Sequence, residues 1–238
     1  MIFVVIDLTY SSSRMASCRL TRQQVEAIFR KGKVRESFEP MKVLDLIEVL
    51  NHIHCVNYIL DCVMEPLTQK FIWKLHEILM TGTVDAYRQQ VRPGEYRTMT
   101  SRPRNRELLP VNQINSSLTA LIRDYEDQTE IERKQILDFH VRFEEIFPFE
   151  DGNGRVGRLI MFKECLRHSV TSFIIDNKRR SLYLRGIKER HDDRYEFVEV
   201  MMEVQDRFEA QIELQRLHAA GQFFAPATYQ EGCNDEDD

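Results

Sequence analysis

Three of the nine glycines in the chain fall within six residues, at Gly152, Gly154 and Gly157. They precede an amphipathic stretch that predicts a helix. The first backbone N–H groups of a helix have no intrahelical partner, and the helix dipole adds positive charge at that end. A glycine-rich turn that leads into a helix is therefore suited to bind a polyphosphate. The alternative is that the glycines only cap a surface helix.

Three charged residues beside this turn favour the phosphate interpretation. Arg155 and Arg158 are three positions apart, so they share one helical face and can bind phosphate oxygens with paired N–H groups. Asp151 comes just before the turn and is the hard oxygen ligand that a phosphate-bound Mg²⁺ prefers. In the alternative interpretation, both arginines are only solvated.

The spacing Gly-x-Gly-x-x-Gly also occurs in dinucleotide-binding folds, where it follows a buried parallel strand. Here the preceding residues are Phe147-Pro148-Phe149-Glu150-Asp151. Proline is excluded from central strands because it cannot donate a ladder hydrogen bond. A dinucleotide-binding fold is therefore rejected.

The elements that must position these residues are predicted to be helices. Apolar residues recur at helical spacing over 41–63, 68–80 and 111–126, and further helices are predicted at 154–167, 179–189 and 194–218. Two capping boxes, Thr21 with Gln24 and Thr129 with Glu132, predict two more helix starts, the second helix ending at Ile146. Residues 81–110 have no helical period, which predicts a loop or a hairpin. The predicted fold class is all-α, a helical bundle with a small β-hairpin.

The composition is that of a soluble globular domain. Of the 238 residues, 42% are hydrophobic and 30% are charged, and the net charge of −5 disfavours binding to nucleic acid or to an anionic membrane. No uninterrupted apolar run reaches the length of a membrane span. The five cysteines include no Cys-x-x-Cys pair, which argues against a disulfide framework or a zinc site. We therefore expect a cytoplasmic protein.

The segment from Phe147 to Arg158 resembles the signature of the Fic family, His-Pro-Phe-x-Asp/Glu-Gly-Asn-Gly-Arg-x-x-Arg, at eight of its nine fixed positions. The resemblance covers roughly residues 10–215. It divides the chain into an N-terminal arm (1–30), a Fic core (31–218) and an acidic tail (219–238). It implies a mainly helical core that binds ATP and Mg²⁺ and transfers AMP to a hydroxyl side chain of a target protein. Since helical members of the family often self-associate, a homo-oligomer is compatible with it.

The resemblance also implies a role for each residue of the signature. Asp151 would hold the metal, Arg155 would bind the β-phosphate, and Arg158 would reach the γ-phosphate. Phe149 would pack the loop onto the core. The anion hole for the α- and β-phosphates would be formed by Gly152, Asn153 and Gly154.

The chain departs from the family at the general base, a histidine that takes the proton from the attacking hydroxyl. Phe147 stands at this position and cannot accept a proton. The step thus loses an effect typically worth about 10²–10⁴-fold. His140 is the nearest other histidine, and we expect it to be packed in the core rather than to replace the base.

A second departure lies in the N-terminal arm, at the family's inhibitory motif Ser/Thr-x-x-x-Glu-Gly/Asn. The glutamate of that motif pairs with the second signature arginine. In this chain the serine position is Ser12 and the glutamate position is Ala16. Since Ala16 has no charge to oppose Arg158, we expect ATP to seat its γ-phosphate freely. The pair Glu231-Gly232 resembles a C-terminal form of the motif, but we interpret that match as chance.

A third departure concerns the flap at 97–109, which lacks the Gly-Gly pair of the family's target-binding hairpin and is strongly basic. Target docking is altered, or the segment meets an acidic partner or phosphates, or it is a mobile loop. Two functions therefore stay open. The first is a protein adenylyltransferase that is weak or inactive because of Phe147. The second is a nucleotide-binding regulatory or interaction module.

Overall fold

The computed structural model describes residues 2–31, 42–98, 108–176, 178–188 and 194–219. Within these ranges the chain forms helices and no strand, so the fold is all-α as predicted. The predicted hairpin falls mainly on residues outside the described ranges, as do Glu231-Gly232 and the acidic tail. The helices are α1 (Ile2–Met15), α2 (Arg22–Lys31), α3 (Val43–Asp61), α4 (Gln69–Met80), α5 (Val84–Tyr87), α6 (Val111–Glu126), α7 (Arg133–Ile146), α8 (Asn153–Arg167), α9 (Arg180–Lys188) and α10 (Arg194–Ala219).

Helix α8 is the central element of the fold. It is buried along nearly its whole length and packs against α1, α3, α4 and α7. Its apolar residues are spread around the helix rather than along one stripe, as expected for a helix that is covered on all sides. A smaller cluster that includes Ile6, Val25 and Val49 packs α1 and α2 onto α3. This packing holds the N-terminal arm close to the start of α8.

Two predicted helix starts are confirmed by their hydrogen bonds. Gln24 Oε1 accepts from the Thr21 N–H at 2.7 Å, and Thr21 Oγ1 accepts from the Gln24 N–H at 3.3 Å, which is the reciprocal capping box of α2. At α4, Thr68 Oγ1 accepts from the Phe71 N–H at 3.1 Å. These caps satisfy amide groups that have no partner within the helix.

One helix start differs from the prediction, and one short helix was not predicted. The N-cap of α7 is Glu132, not Thr129, because Gln135 accepts from the Glu132 N–H at 3.2 Å and forms the capping box three residues later. A carboxylate is also favoured at the positive end of the helix dipole. In addition, the stretch predicted to have no helix contains the one-turn helix α5, which Thr83 caps by accepting from the Ala86 N–H at 3.3 Å.

Helix α3 has the length and the mean hydropathy, 1.2, of a candidate membrane span. Asp45 and Glu48 interrupt the apolar sequence of the helix, so it contains no uninterrupted apolar run of that length. The helix packs against α1 and α4, and its residues Val49, Val56 and Ile59 are buried in the protein core. Its place inside the bundle accounts for its apolar composition.

Candidate anion-binding site

A cleft of about 340 Å³ opens at the N-terminus of α8, between α1, α3, α7 and α9. It brings together nearly all of the site residues that the sequence predicts. Ser12 does not line it but bonds to one of its arginines. The predicted residues that line the cleft are Ala16, Phe147, Asp151, Gly152, Asn153, Gly154, Arg155 and Arg158.

The turn before α8 leaves the start of the helix open to a ligand. Gly152 is the N-cap, with a left-handed φ of 79° that glycine adopts without strain. It has no side chain to cap the helix. Asn153 points inward, where its Oδ1 accepts from the Phe149 N–H and its Nδ2 donates to the Phe149 carbonyl, both at 2.8 Å. The Asn153 side chain therefore closes the turn, and only backbone is left to form an anion hole.

Phe149 anchors this turn to the core, as predicted. Its ring is fully buried and stacks on His76, with ring centroids 3.8 Å apart and planes 4° apart. His76 Nδ1 accepts from the Gly94 N–H at 2.9 Å, so Nε2 carries the proton and donates to the Asp151 carbonyl at 3.2 Å. Burial lowers the pKa of His76 to about 4, which keeps this tautomer neutral at pH 7. His76 thus joins the turn to the segment before the flap.

Arg155 has one guanidinium nitrogen, Nη1, that is ion-paired to Glu48 but has no hydrogen-bond acceptor among the described residues. The residue is only 7% exposed, and its Nη2 donates to Asp151 Oδ2 at 2.8 Å. Its Nη1 is 3.6 Å from Glu48 Oε1, which is too long for a hydrogen bond. Among the described residues no acceptor reaches this nitrogen. A buried donor without a partner is unfavourable, so Nη1 is ready for an anionic ligand.

Arg158, in contrast, is held by the protein itself. Its Nε donates to Ser12 Oγ at 3.0 Å, its Nη2 to the Ser12 carbonyl at 3.3 Å, and its Nη1 to the Tyr183 hydroxyl at 3.4 Å. Ser12 and Tyr183 therefore restrain Arg158 even though Ala16 brings no charge to it. The serine one turn before Ala16 binds the guanidinium through neutral acceptors, which need no glutamate.

Phe147 ends α7 in the left-handed region, with φ 49° and ψ 62°, which is rare for a bulky residue. Arg97 holds the backbone in place. Its Nε donates to the Phe147 carbonyl at 2.8 Å, and its N–H donates to the Pro148 carbonyl at 2.9 Å. The strained backbone therefore carries a phenyl ring into the cleft at the position where the resemblance places a base.

His140 is a core residue, as predicted. It is 1% exposed, and its Nε2 is 2.8 Å from the Tyr183 hydroxyl. A Cβ at Gly157 would come within 2.9 Å of its ring, so α7 and α8 approach closely at this point. Burial lowers the pKa of His140 to about 3, and the ring does not line the cleft.

The cleft also holds carboxylates that the sequence did not reveal. Burial raises the pKa of one of them, Glu48 on α3. No local pattern marks Glu48 and Asp85, since they lie far from the glycine turn along the chain. Tyr183 on α9 was missed for the same reason. Besides the predicted Asp151, the lining carboxylates are Glu48, Asp85 and Glu144.

No group of three or more His, Cys, Asp or Glu residues in the described ranges could hold a metal ion alone. Asp151 is different because its side chain is 54% exposed at the edge of the cleft. Mg²⁺ commonly takes one or two carboxylates and completes its shell with phosphate oxygens and water. A single accessible carboxylate beside an anion site fits that pattern.

Comparisons with known proteins concern the family and the fold. Residues 66–165 match the family model described as Fic/DOC family. A Fic domain-containing signaling protein from Bacteroides thetaiotaomicron has a similar fold, with a TM-score of 0.75 and 17% identity over 94% of this chain and 90% of that one. Fic-1 from C. elegans gives 0.75 and 17% over 90% of this chain and 64% of the solved chain.

A Fic family protein from Desulfovibrio desulfuricans gives a TM-score of 0.64 and 21% identity over 89% of this chain and 65% of that one. The chain therefore spans less than two thirds of the solved chains from C. elegans and D. desulfuricans. At such identities the likeness concerns the fold alone. No curated protein sequence matches this chain.

Proposed function

We propose that this protein, whose residues 66–165 match the Fic/DOC family model, binds ATP with Mg²⁺ in the cleft. The site is of the protein adenylyltransferase type, and its AMP transfer is weak or absent. The observation that carries the proposal is the buried Nη1 of Arg155, a donor with no acceptor among the described residues. It lies beside a helix start that no side chain caps. The Arg155 donor and the uncapped start of α8 are two independent groups that favour the binding of an anion.

The chain's own residues would divide the polyphosphate between them. Backbone amides at 152–154 and the Arg155 guanidinium would bind the α- and β-phosphates. Asp151 would hold Mg²⁺, which supplies positive charge to the phosphates when bound. Arg158 would turn fully toward the γ-phosphate only after it leaves Ser12, because its bonds to Ser12 and Tyr183 already use three of its five N–H donors.

Transfer of AMP to a hydroxyl requires a group that removes the hydroxyl proton. The phenyl ring of Phe147 has no atom that accepts a proton. His52, His76 and His140 are buried and do not line the cleft. The absence of a base at Phe147 therefore reduces transfer by about 10²–10⁴-fold.

A second candidate function is a nucleotide-binding regulatory or interaction module without transfer. Two observations favour it: Phe147 at the position of the base, and the contact of α1 with Arg158. In this function the N-terminal arm, 1–30, controls the site, and the protein acts in the cytoplasm through a protein partner or a second copy of itself. In the first function the partner is a target protein that presents a hydroxyl side chain.

Incubation with labelled ATP and Mg²⁺ separates these two functions, with self-labelling as the readout. We expect no label on the unaltered protein and label on Phe147→His. Phe147→Leu is the matched control and stays unlabelled. Label on the unaltered protein would refute the inactive site. If calorimetry detects no ATP binding by the unaltered protein or by Phe147→His, the nucleotide proposal is overturned.

A further inference from the structure

Resting on the proposed function, we propose that magnesium and the nucleotide phosphates bind this cleft as a coupled pair, because Asp151 and Arg155 neutralise each other in the free protein. The Asp151 carboxylate accepts from Arg155 Nη2 at 2.8 Å. The proposed metal ligand and the proposed phosphate ligand are therefore each other's partner. Neither can bind its own ligand with full strength until this ion pair opens.

The two sides of the pair differ in mobility. Arg155 belongs to the buried helix α8 and packs against Met80, whose Sδ is 3.8 Å from Nη2. Asp151 lies in the turn before the helix, and its side chain is 54% exposed. Opening of the pair is therefore a movement of the Asp151 carboxylate toward the cleft mouth, while the guanidinium keeps its place.

The charge of the cleft explains why each ligand alone binds weakly. The carboxylates of Glu48 and Asp151 both face the Arg155 guanidinium, and Arg158 is already bonded to Ser12. A phosphate that enters alone meets these two negative charges beside Arg155. A cation that enters alone leaves Arg155 without its closest carboxylate. When Mg²⁺ and the phosphates enter together, a single opening of the Asp151–Arg155 ion pair exposes the carboxylate to the cation and the guanidinium to the phosphates. The binding of each ligand therefore strengthens the binding of the other.

Glu48 is the positioning residue in this arrangement. It lies on α3 with its Oε1 3.6 Å from Arg155 Nη1, whereas Asp151 contacts Nη2. When Asp151 turns to a cation, Glu48 remains beside the guanidinium and holds it in the cleft. At 3.6 Å it does not use up the Nη1 donor, which stays available to a phosphate oxygen.

Isothermal titration calorimetry with ADP, in MgCl₂ or in EDTA, tests the coupling through Asp151→Asn. We expect the variant to bind metal-free ADP about 2–5-fold more tightly than the unaltered protein, the scale of a half-exposed ion pair. We also expect it to lose most of the gain in affinity that Mg²⁺ provides, about 5–150-fold. Complexation of Mg²⁺ by free ADP is the same for every variant, so it cancels in the comparison.

Glu150→Gln is the matched control, since it removes the same charge from the adjacent residue outside the cleft lining. It should change neither quantity. Glu48→Gln should tighten metal-free binding and keep the Mg²⁺ gain, because Asp151 is intact. Unchanged or weaker metal-free binding by Asp151→Asn would overturn the coupling. If the unaltered protein binds ADP in neither buffer, the proposed function itself fails, so the two failures are distinguishable.

Discussion

Arg155 and Arg158 are one turn apart on the same helix, yet their surroundings assign them opposite states. Arg155 faces two carboxylates and keeps one nitrogen without an acceptor among the described residues. Arg158 has all three nitrogens bonded, two of them to Ser12 on α1. The difference shows that a shared helical face does not make two side chains equally available. Arg155 keeps a donor that has no hydrogen-bond acceptor, while Arg158 binds the N-terminal arm through Ser12.

The largest expected effect is on nucleotide binding by Arg155. Arg155→Ala should weaken ADP binding by about 1.5–3 kcal/mol, the scale of a hydrogen bond to a charged group. Arg158→Ala should change ADP affinity much less, because ADP has no γ-phosphate. Calorimetry in MgCl₂ measures both values. Equal losses in the two variants would break the proposed division between the arginines.

The next effect is on the free energy of unfolding, to which we expect Arg158 to contribute more than Arg155. Arg158→Ala should lower the free energy of unfolding by about 1–3 kcal/mol, because it leaves buried acceptors on Ser12 without their donor. Urea denaturation followed by circular dichroism measures the loss. Arg142→Ala is the control, since it removes a surface arginine from an exposed ion pair, which contributes little to stability. A loss no greater than that of the control would show that Arg158 does not hold the arm.

A smaller change sharpens the comparison by releasing Arg158. Ser12→Ala removes the hydroxyl at Nε and should favour ATP over ADP by about 0.5–1.5 kcal/mol relative to the unaltered protein, the scale of one hydrogen bond. The freed guanidinium would then reach the γ-phosphate. Ser11→Ala, on the same helix and without a bond to Arg158, serves as the control. An ATP-to-ADP affinity ratio that stays constant in Ser12→Ala would contradict the restraint by α1.

The last effect appears only at acidic pH and concerns His52, which lies close to both arginines. Its Nδ1 is 3.1 Å from Thr9 Oγ1, and burial, with further contributions from Arg158 and Arg155, lowers its pKa to about 3. A histidine in the unfolded chain titrates near pH 6.5. The unfolded state therefore binds more protons below that pH, and stability should fall as the pH decreases from about 6.5 toward 3.

Thermal midpoints measured across this range test the prediction with two variants on α3. His52→Gln should flatten the dependence of the midpoint on pH, because a neutral side chain replaces a group whose proton the fold excludes. His54→Gln changes an exposed residue of the same helix and should leave the dependence unaltered. The same slope in both variants would show that no proton is excluded at His52.

Much of the fold followed from local signals in the sequence. The Thr21–Gln24 capping box and the apolar period of 111–126 depend only on near neighbours, and both are confirmed. The start of α7 was placed wrongly because two acceptable caps, Thr129 and Glu132, lie three residues apart. Helix α5 was missed because one turn is too short to show a period. Both errors arise because a local sequence pattern does not include the tertiary contacts of the segment.

The site was predictable only along the segment that forms it. The glycine turn, Asp151 and both arginines could be identified because they are adjacent in sequence and line the same cleft. Glu48, His76 and Tyr183 could not, because their roles depend on contacts with α8 made from distant helices. The hydrogen bonds from Arg158 to Ser12 were not predicted, because the inhibitory motif is defined by the charge of a glutamate at the position of Ala16.

By itself, the sequence determined most of the longer helices, the all-α class and the chemistry present at the turn before α8. Those properties arise from side-chain periodicity, from caps and from glycine backbone freedom, all of which act over a few residues. Only the tertiary structure decided which arginine is available, because the packing of α1 and α3 against α8 brings Ser12 to Arg158 and Glu48 to Arg155. The availability of a charge depends on neighbours that chain folding brings from far away.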